Sequence, residues 1–351
     1  MAAVTGASLL PGQAVGTVIG GRWHIANLIS IGGTAAVYEA RDTAVSHDAR
    51  VAIKISRDAA RPAGGKQFRQ LVYEEGVRMA SSEFAELRIA PKVIDRSLNY
   101  TSTSTTYYAM DLMSEDMFMR FVACGKLSPT QQAAVVRCVA EVIRHLQAAN
   151  GLGILHRDVK PENVCFGRGA EKDRVYLIDW GFSDAEKDCM SSTTMVGTNG
   201  YVSRWLDRGD PGCHLMDDLT SAAYMLISVL RRAMPWGPAN VLENAEVRSR
   251  RVGLKFLFSK DATKWMSIMF PGNLALQRAL VMLLKEPRAG GGDAFVSAVL
   301  SHLDTAASTF CPPAPPVTEA IDECSYAGIV LPVALDEPES PPPPPKRSRH
   351  T

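Results

Sequence analysis

The stretch His156-Arg157-Asp158-Val159-Lys160-Pro161-Glu162-Asn163 decides the reading of this chain. It brings a carboxylate, an ammonium and a carboxamide close together at Asp158, Lys160 and Asn163. A carboxylate can accept a hydroxyl proton or orient an attacking oxygen. A lysine can neutralise charge on a phosphoryl oxygen, and a carboxamide oxygen suits a hard cation such as Mg²⁺. Further on, Leu177-Ile178-Asp179-Trp180-Gly181 reads as an apolar strand ending in an acid that could supply a second metal position. Either string alone reads as a polar turn or an ordinary Asp-Gly loop. Together, in this order, they are more than a polar turn and a loop account for.

Composition narrows the class. The 351 residues carry 38 basic and 37 acidic side chains, a net charge of +1, so no overall field favours nucleic acid or a membrane surface. The length suits a large core divided between two lobes. Seven cysteines (Cys124, Cys138, Cys165, Cys189, Cys213, Cys311 and Cys324) are scattered without a Cys-x-x-Cys pair. That pattern reads as free thiols in an intracellular chain, not as a disulfide framework or a zinc site. Residues 1–16 lack a basic leader ahead of their apolar patch and make a poor signal peptide. The longest strongly apolar run, residues 222–230, is too short to cross a bilayer. The expectation is a chain of the cytoplasm or nucleus with no membrane or nucleic-acid partner.

The two strings resemble the catalytic loop and metal-binding motif of eukaryotic-type serine/threonine protein kinases. The resemblance covers residues 22–303 and implies an α+β, bilobal fold. A small β-rich N-lobe with one key helix would sit on a larger, mainly helical C-lobe. The implied organisation is a flexible leader over 1–21, N-lobe and hinge over 22–113, C-lobe over 114–305, and a proline-rich, disordered tail over 306–351. Residues 22–31 and 36–40 read as strands around Ser30-Ile31-Gly32-Gly33-Thr34-Ala35. A glycine-rich turn lets backbone N–H groups approach phosphates. Aligned on Val37, the kinase pattern G-x-G-x-x-G-x-V meets Ser30, Gly32, Ala35 and Val37, with Gly33 an extra glycine beside the one in register. A plain hairpin is the alternative reading of this loop.

Val51-Ala52-Ile53-Lys54 matches the kinase strand that brings an alanine and a phosphate-binding lysine to the nucleotide, which implies Ala52 and Lys54 there. A helix is expected over 66–82, with Phe68, Leu71, Val72 and Met79 among its apolar positions. Both Glu74 and Glu75 on it could pair with Lys54. In the kinase helix an apolar residue follows the glutamate by three, so Val77 selects Glu74 and leaves Glu75 as a solvated charge. Residues 90–94 start a further strand. Residues 107–113 resemble the strand leading into the hinge, with Met110 gating the pocket, Asp111 offering its carbonyl and Met113 its N–H to adenine.

From Ser128 the chain turns helical. Ser128-Pro129 reads as an N-cap followed by proline at the first helical position. Val135, Val136, Val139, Val142, Ile143 and Leu146 recur at helix spacing up to Gly151. By resemblance, Asp158 orients the substrate hydroxyl, Lys160 stabilises the moving group and marks a serine/threonine kinase, and Asn163 and Asp179 are metal ligands. His156 would pack and hydrogen-bond, and Arg157 would order the activation segment through an anion. Trp180 replaces the usual phenylalanine but keeps an apolar ring for the glutamate-bearing helix. Ser191, Ser192, Thr193 and Thr194 are candidates for phosphorylation or simply a polar loop. Gly197-Thr198-Asn199-Gly200-Tyr201 resembles the platform for the peptide acceptor.

The main departure lies at Ser203-Arg204-Trp205, where most kinases carry Ala-Pro-Glu. The glutamate that ties the segment to a late arginine is missing, although Arg288 stands near that arginine's place. This loss, with Asp217-Asp218-Leu219-Thr220-Ser221 and Met234-Pro235-Trp236, resembles the casein kinase one and vaccinia-related group. Asp218 would open an apolar helix to Leu230 and hold the His-Arg-Asp turn. Later helices are expected over 254–269, 274–284 and 295–303. Residues 341–345 are all proline and precede Lys346-Arg347-Ser348-Arg349, either a solvated tail or a weak nuclear signal.

The implied activity is transfer of the ATP γ-phosphoryl group, with Mg²⁺, to serine or threonine of protein substrates by a monomeric enzyme. Two rivals stand beside it. The broken glycine loop and missing Ala-Pro-Glu would suit an inactive pseudokinase scaffold. A small-molecule phosphotransferase on the same fold is disfavoured by Arg157, Lys160 and the Gly-Thr-x-x-Tyr platform.

Overall fold

The computed structural model describes residues 14–45, 49–57, 68–100, 105–123, 125–172, 174–185, 196–237 and 244–310. The expectations for residues 1–13, for Cys124, Cys189, Cys311 and Cys324, for Ser191 to Thr194, and for Lys346 to Arg349 lie outside those residues.

Alternation of side chains along strands fixes the N-terminal lobe. Six strands form one antiparallel sheet: β1 (Val18–Ile19), β2 (Trp23–Ile31), β3 (Ala35–Asp42), β4 (Arg50–Ser56), β5 (Val93–Arg96) and β6 (Tyr107–Asp111), in the order β1-β2-β3-β4-β6-β5. On the central strand β4, Val51, Ile53 and Ile55 face a cluster with Trp23, Ile25, Tyr38 and Ala109. Ala52 faces the opposite way, into the main core with Val72, Met79 and Met110. Lys54 shares the Ala52 face by the same period of two. The leader is shorter than expected. Ala14 is fully buried in the first cluster and β1 pairs with β2, so residues 14–21 belong to the lobe.

Across that face lie α1 (Phe68–Met79) and α2 (Ser82–Leu87). The buried positions of α1 are Val72, Glu75, Gly76 and Met79, a stripe at helix spacing. Gly76 is where α1 meets the sheet: a Cβ there would stand 3.1 Å from the side chain of Tyr108 on β6.

The C-terminal lobe is built on α3 (Pro129–Gly151), whose Ser128 N-cap forms a reciprocal capping box with Gln131. After it come β7 (Ile154–Leu155), β8 (Val164–Phe166), β9 (Val175–Leu177) and β10 (Asp184–Ala185), paired β8 with β9 and β7 with β10. The remaining helices are α4 (Arg204–Arg208), α5 (Leu215–Arg231), α6 (Ala245–Lys260), α7 (Ala262–Met269), α8 (Leu274–Lys285) and α9 (Asp293–Phe310). Helix α5 is buried almost throughout, from Leu215 to Val229, which explains its unbroken apolar run. The helix expected over 254–269 is two helices, broken at Asp261. The last helix continues to Phe310 with Ala306 and Ala307 buried, so residues 306–310 are not tail. Among the described residues no helix is long and apolar enough to cross a membrane.

Candidate active site

The period of two along β4 carries Lys54 under the sheet, where its Nζ donates to Glu75 Oε2 at 2.7 Å and to Asp179 Oδ1 at 2.6 Å. One cation thus joins the N-lobe strand, the N-lobe helix and the C-lobe metal-motif acid. Burial works against the ammonium, yet Asp179 and Glu75 hold its pKa well above the ordinary lysine value. Burial likewise opposes the Asp179 charge, but Lys54 keeps that carboxyl below its usual range. Glu75 goes the other way, raised by burial more than Lys54 lowers it.

The pairing corrects the expectation for Glu74. Glu75 is 1% exposed and meets Lys54, whereas Glu74 turns along the helix and accepts from Gln70 Nε2 at 2.8 Å. Val77, which selected Glu74 by analogy, is exposed. The buried stripe supplies the reason. Glu75 follows Val72 by three and precedes Met79 by four, so it shares their face. That spacing was present in the sequence and is the signal that finds it.

The catalytic-loop string forms a closed polar cluster. Asp158 Oδ1 accepts from the Thr198 backbone N–H and hydroxyl, both at 2.8 Å. Its Oδ2 accepts from Lys160 Nζ at 2.7 Å, and Lys160 also donates to Thr198 Oγ1 at 2.9 Å. Asn163 Nδ2 donates to the Asp158 backbone carbonyl at 2.7 Å, which fixes the amide with its oxygen as the atom that could meet a cation. The platform residue Thr198 is therefore bonded directly to both Asp158 and Lys160.

Two fixed supports lie beneath. Asp218 on α5 accepts from the N–H groups of His156 (2.7 Å) and Arg157 (2.8 Å), holding the turn in which Arg157 takes a positive φ of 71°. Burial pushes the Asp218 carboxyl up to about 7 against these two donors. His156 Nδ1 accepts from the Asp158 N–H, so the ring proton sits on Nε2 and reaches the Ile178 carbonyl at 3.0 Å. Burial lowers the pKa of this imidazole against the pull of Asp158, and the ring packs and hydrogen-bonds. Trp180 is fully buried, edge-on to His156 and Phe84 at 4.6 and 4.9 Å, with its Nε1 donating to the Leu177 carbonyl. Arg78 on α1 donates to the Trp180 carbonyl at 3.1 Å. The indole thus packs on α2 and His156, and the tie from α1 is the Arg78 hydrogen bond to the Trp180 backbone.

The missing Ala-Pro-Glu glutamate is replaced by a different tie. Ser203 Oγ donates to Asp217 Oδ1 at 2.5 Å, and Arg288 reaches the same carboxylate at 3.0 Å. The late arginine therefore holds an acid on α5, and a hydroxyl connects the segment to it.

On the nucleotide side, Ser30 pairs with Val37, and Gly32 N–H donates to the Ala35 carbonyl at 2.8 Å, so Gly32 and Gly33 occupy the tip of the β2–β3 hairpin. Ala52 pairs across the sheet with Met110, and Val37 with Lys54. Asp111 spends its N–H on the Lys92 carbonyl, and β6 ends there, two residues short of Met113. Asn163, just before β8, and Asp179, just after β9, could offer two oxygen donors from different loops. That set fits Mg²⁺, which keeps waters and phosphate oxygens as its other ligands and needs no all-protein cage. Among the described residues no group of three or more His, Cys, Asp or Glu gathers as a metal cluster. Cys138, Cys165 and Cys213 are buried and in no disulfide, and burial pushes the Cys138 thiol up to about 12.

Comparison with known sequences agrees with this geometry. The protein kinase domain profile matches residues 23–287, and the chain belongs to that family. A probable serine/threonine-protein kinase of Dictyostelium discoideum is 26% identical over 64% of this chain and 44% of its own length. Serine/threonine-protein kinase H1 of Homo sapiens is 28% identical over 62% of this chain and 50% of its own. A probable casein kinase I homolog of Encephalitozoon cuniculi is 26% identical over 66% of this chain and 70% of its own. The chain spans about half the length of the first two relatives.

Proposed function

We propose that the chain transfers the γ-phosphoryl group of ATP to serine or threonine hydroxyls of protein substrates. The observation that carries this reading is the pair of assembled clusters: Lys54–Glu75–Asp179, which bridges the two lobes, and Asp158–Lys160–Thr198 in the C-terminal lobe. Lys54 would hold phosphate oxygens, with its charge and direction set by Glu75. Asn163 and Asp179 would hold Mg²⁺, which when bound neutralises charge on the bridging phosphates. Asp158 orients the acceptor hydroxyl and takes its proton at the carboxylate. Lys160 faces the moving group, and its bond to Thr198 suits a serine/threonine acceptor. Because the transition state is loose, positioning and charge neutralisation supply most of the rate.

Ser30, Gly32, Gly33, Val37, Ala52, Met110, Asp111 and Met113 would frame the nucleotide, with the Asp111 carbonyl and the Met113 N–H at the adenine edge. Action as a monomer in the cytoplasm or nucleus completes the proposal. The hairpin tip with a single glycine in register is the one feature favouring a nucleotide-binding scaffold. Both ion clusters are complete, which favours the enzyme. Asp158→Ala separates the readings: transfer to protein should vanish while Mg·ATP still raises the melting temperature. Loss of nucleotide binding together with unfolding would refute the role given to Asp158.

A further inference from the structure

The acceptor platform rests on a lysine that the kinase motifs do not contain. Lys255 on α6 is fully buried, and its Nζ donates to the backbone carbonyls of Asn199 (3.0 Å) and Val202 (2.6 Å) and to Asp207 Oδ2 (2.8 Å). Trp236 fills the gap between them, donating from Nε1 to the Gly200 carbonyl at 2.9 Å. The carbonyls of residues 199, 200 and 202 are thus all held from beneath by side chains outside the segment. The ammonium lies 5.4 Å from the Trp236 ring and 5.5 Å from the Tyr224 ring, which add cation–π attraction.

The carboxylate that keeps this lysine in place is itself fixed. Asp207 on α4 is fully buried and is gripped at both oxygens by Arg251, Nε to Oδ2 and Nη2 to Oδ1, each at 2.7 Å. Burial opposes the Asp207 charge, but Arg251 and Lys255 hold the carboxyl below its usual range. Two cations and one anion gathered in the interior are costly to desolvate, and hydrophobic groups of the same shape would often serve stability as well. What the knot supplies is direction: two charge-assisted hydrogen bonds from Lys255 to the backbone of the residues that follow Thr198. Thr198 in turn is bonded to Asp158 and Lys160, and its carbonyl accepts the N–H groups of Tyr201 and Val202.

We infer that Lys255, held by Asp207 and Arg251, is a positioning residue for the protein acceptor. It fixes the platform over residues 199–202 from below. It acts beside the Ser203–Asp217–Arg288 tie, which anchors the segment at Ser203 and leaves residues 199–202 to Lys255. This rests on the kinase reading above.

Lys255→Met is the clean variant, because Asp207 keeps its two-pronged bond to Arg251 and no lone charge is left behind. The expected result is a rise of about tenfold in the KM for a protein acceptor, with the KM for ATP and the Mg·ATP-induced thermal shift unchanged. Lys255→Gln keeps an amide donor for one carbonyl and should fall between wild type and methionine, which also covers the case in which the methionine variant fails to fold. Amide hydrogen exchange without any substrate gives a reading independent of turnover: Tyr201 and Val202 should exchange about tenfold faster in the variant. An unchanged acceptor KM, a parallel loss for ATP and acceptor, or unchanged exchange at Tyr201 and Val202 would each overturn the inference. A wild-type protein silent toward every acceptor would count against the kinase reading instead, and exchange would still decide the role of Lys255.

Discussion

Replacing Glu75 with Gln, and separately Glu74 with Gln, distinguishes two adjacent acids that the sequence leaves nearly equivalent. The Lys54–Glu75 pair is 2.7 Å long, with side chains 8% and 1% exposed. Breaking such a pair costs about 3–5 kcal/mol when the surviving charge is stranded. Here Lys54 keeps Asp179 at 2.6 Å. The expected loss of stability for Glu75→Gln is therefore smaller, about 1–3 kcal/mol. The lysine would then be aimed by Asp179 alone, and the same energy missing from the transition state corresponds to roughly a 10- to 100-fold fall in kcat/KM. Glu74 engages Gln70 one turn away on the same helix. An (i, i+4) contact of that kind is worth about 0.2–0.5 kcal/mol, so Glu74→Gln should leave turnover within about twofold. Steady-state transfer at saturating protein acceptor, with urea unfolding of each variant, gives both numbers. Equal losses in the two variants, or a Glu75→Gln enzyme at wild-type rate, would refute the register read from the buried stripe.

His145 on α3 makes the fold acid-sensitive. Burial, with Arg174 and Arg144 adding to it, lowers its imidazole from 6.5 to about 4, and its Nδ1 is buried without a hydrogen-bond partner. Between those values the unfolded chain takes up a proton that the folded chain refuses. The contribution is complete above pH 6.5 and falls away toward pH 4, by at most about 3 kcal/mol. Urea unfolding of His145→Gln at pH 7 and pH 4.5 should show a flatter pH dependence than wild type; an identical slope would contradict this. Trp180→Phe removes the donor to Leu177 and part of a fully buried ring. It should cost about 1–3 kcal/mol by urea midpoint while leaving transfer within a few-fold, since phenylalanine still fills the face toward Phe84 and His156.

What the sequence made legible was whatever is local. Asp158, Lys160 and Asn163 stand within one loop, and Lys54 lies in an apolar strand whose period of two places it opposite α1. Ser128-Pro129 signalled the start of α3, and the capping box is there. Glu74 and Glu75 are adjacent in sequence but sit about 100° apart on the helix, so only one of them can face the sheet. Only the Val72–Met79 spacing, not the analogy through Val77, identifies the inward one. The order of residues 14–21 is not legible locally, because Ala14 is buried in a cluster with Ile19, Trp23 and Ile25 that forms only when the strands pair. The knot of Asp207, Arg251 and Lys255 joins two helices through tertiary contacts that no periodicity reveals. The replacement of Ala-Pro-Glu by Ser203, Asp217 and Arg288 spans three elements in the same way.

The most direct measurement is transfer of radiolabel from [γ-³²P]ATP with Mg²⁺ to casein, to a basic protein and to the chain itself, comparing wild type with Asp158→Ala. Label on phosphoserine or phosphothreonine with wild type, absent with the folded, nucleotide-binding variant, is the expected result. Equal labelling by both proteins, or none by a wild type that binds Mg·ATP, would contradict the assignment of Asp158 at a working phosphoryl-transfer site.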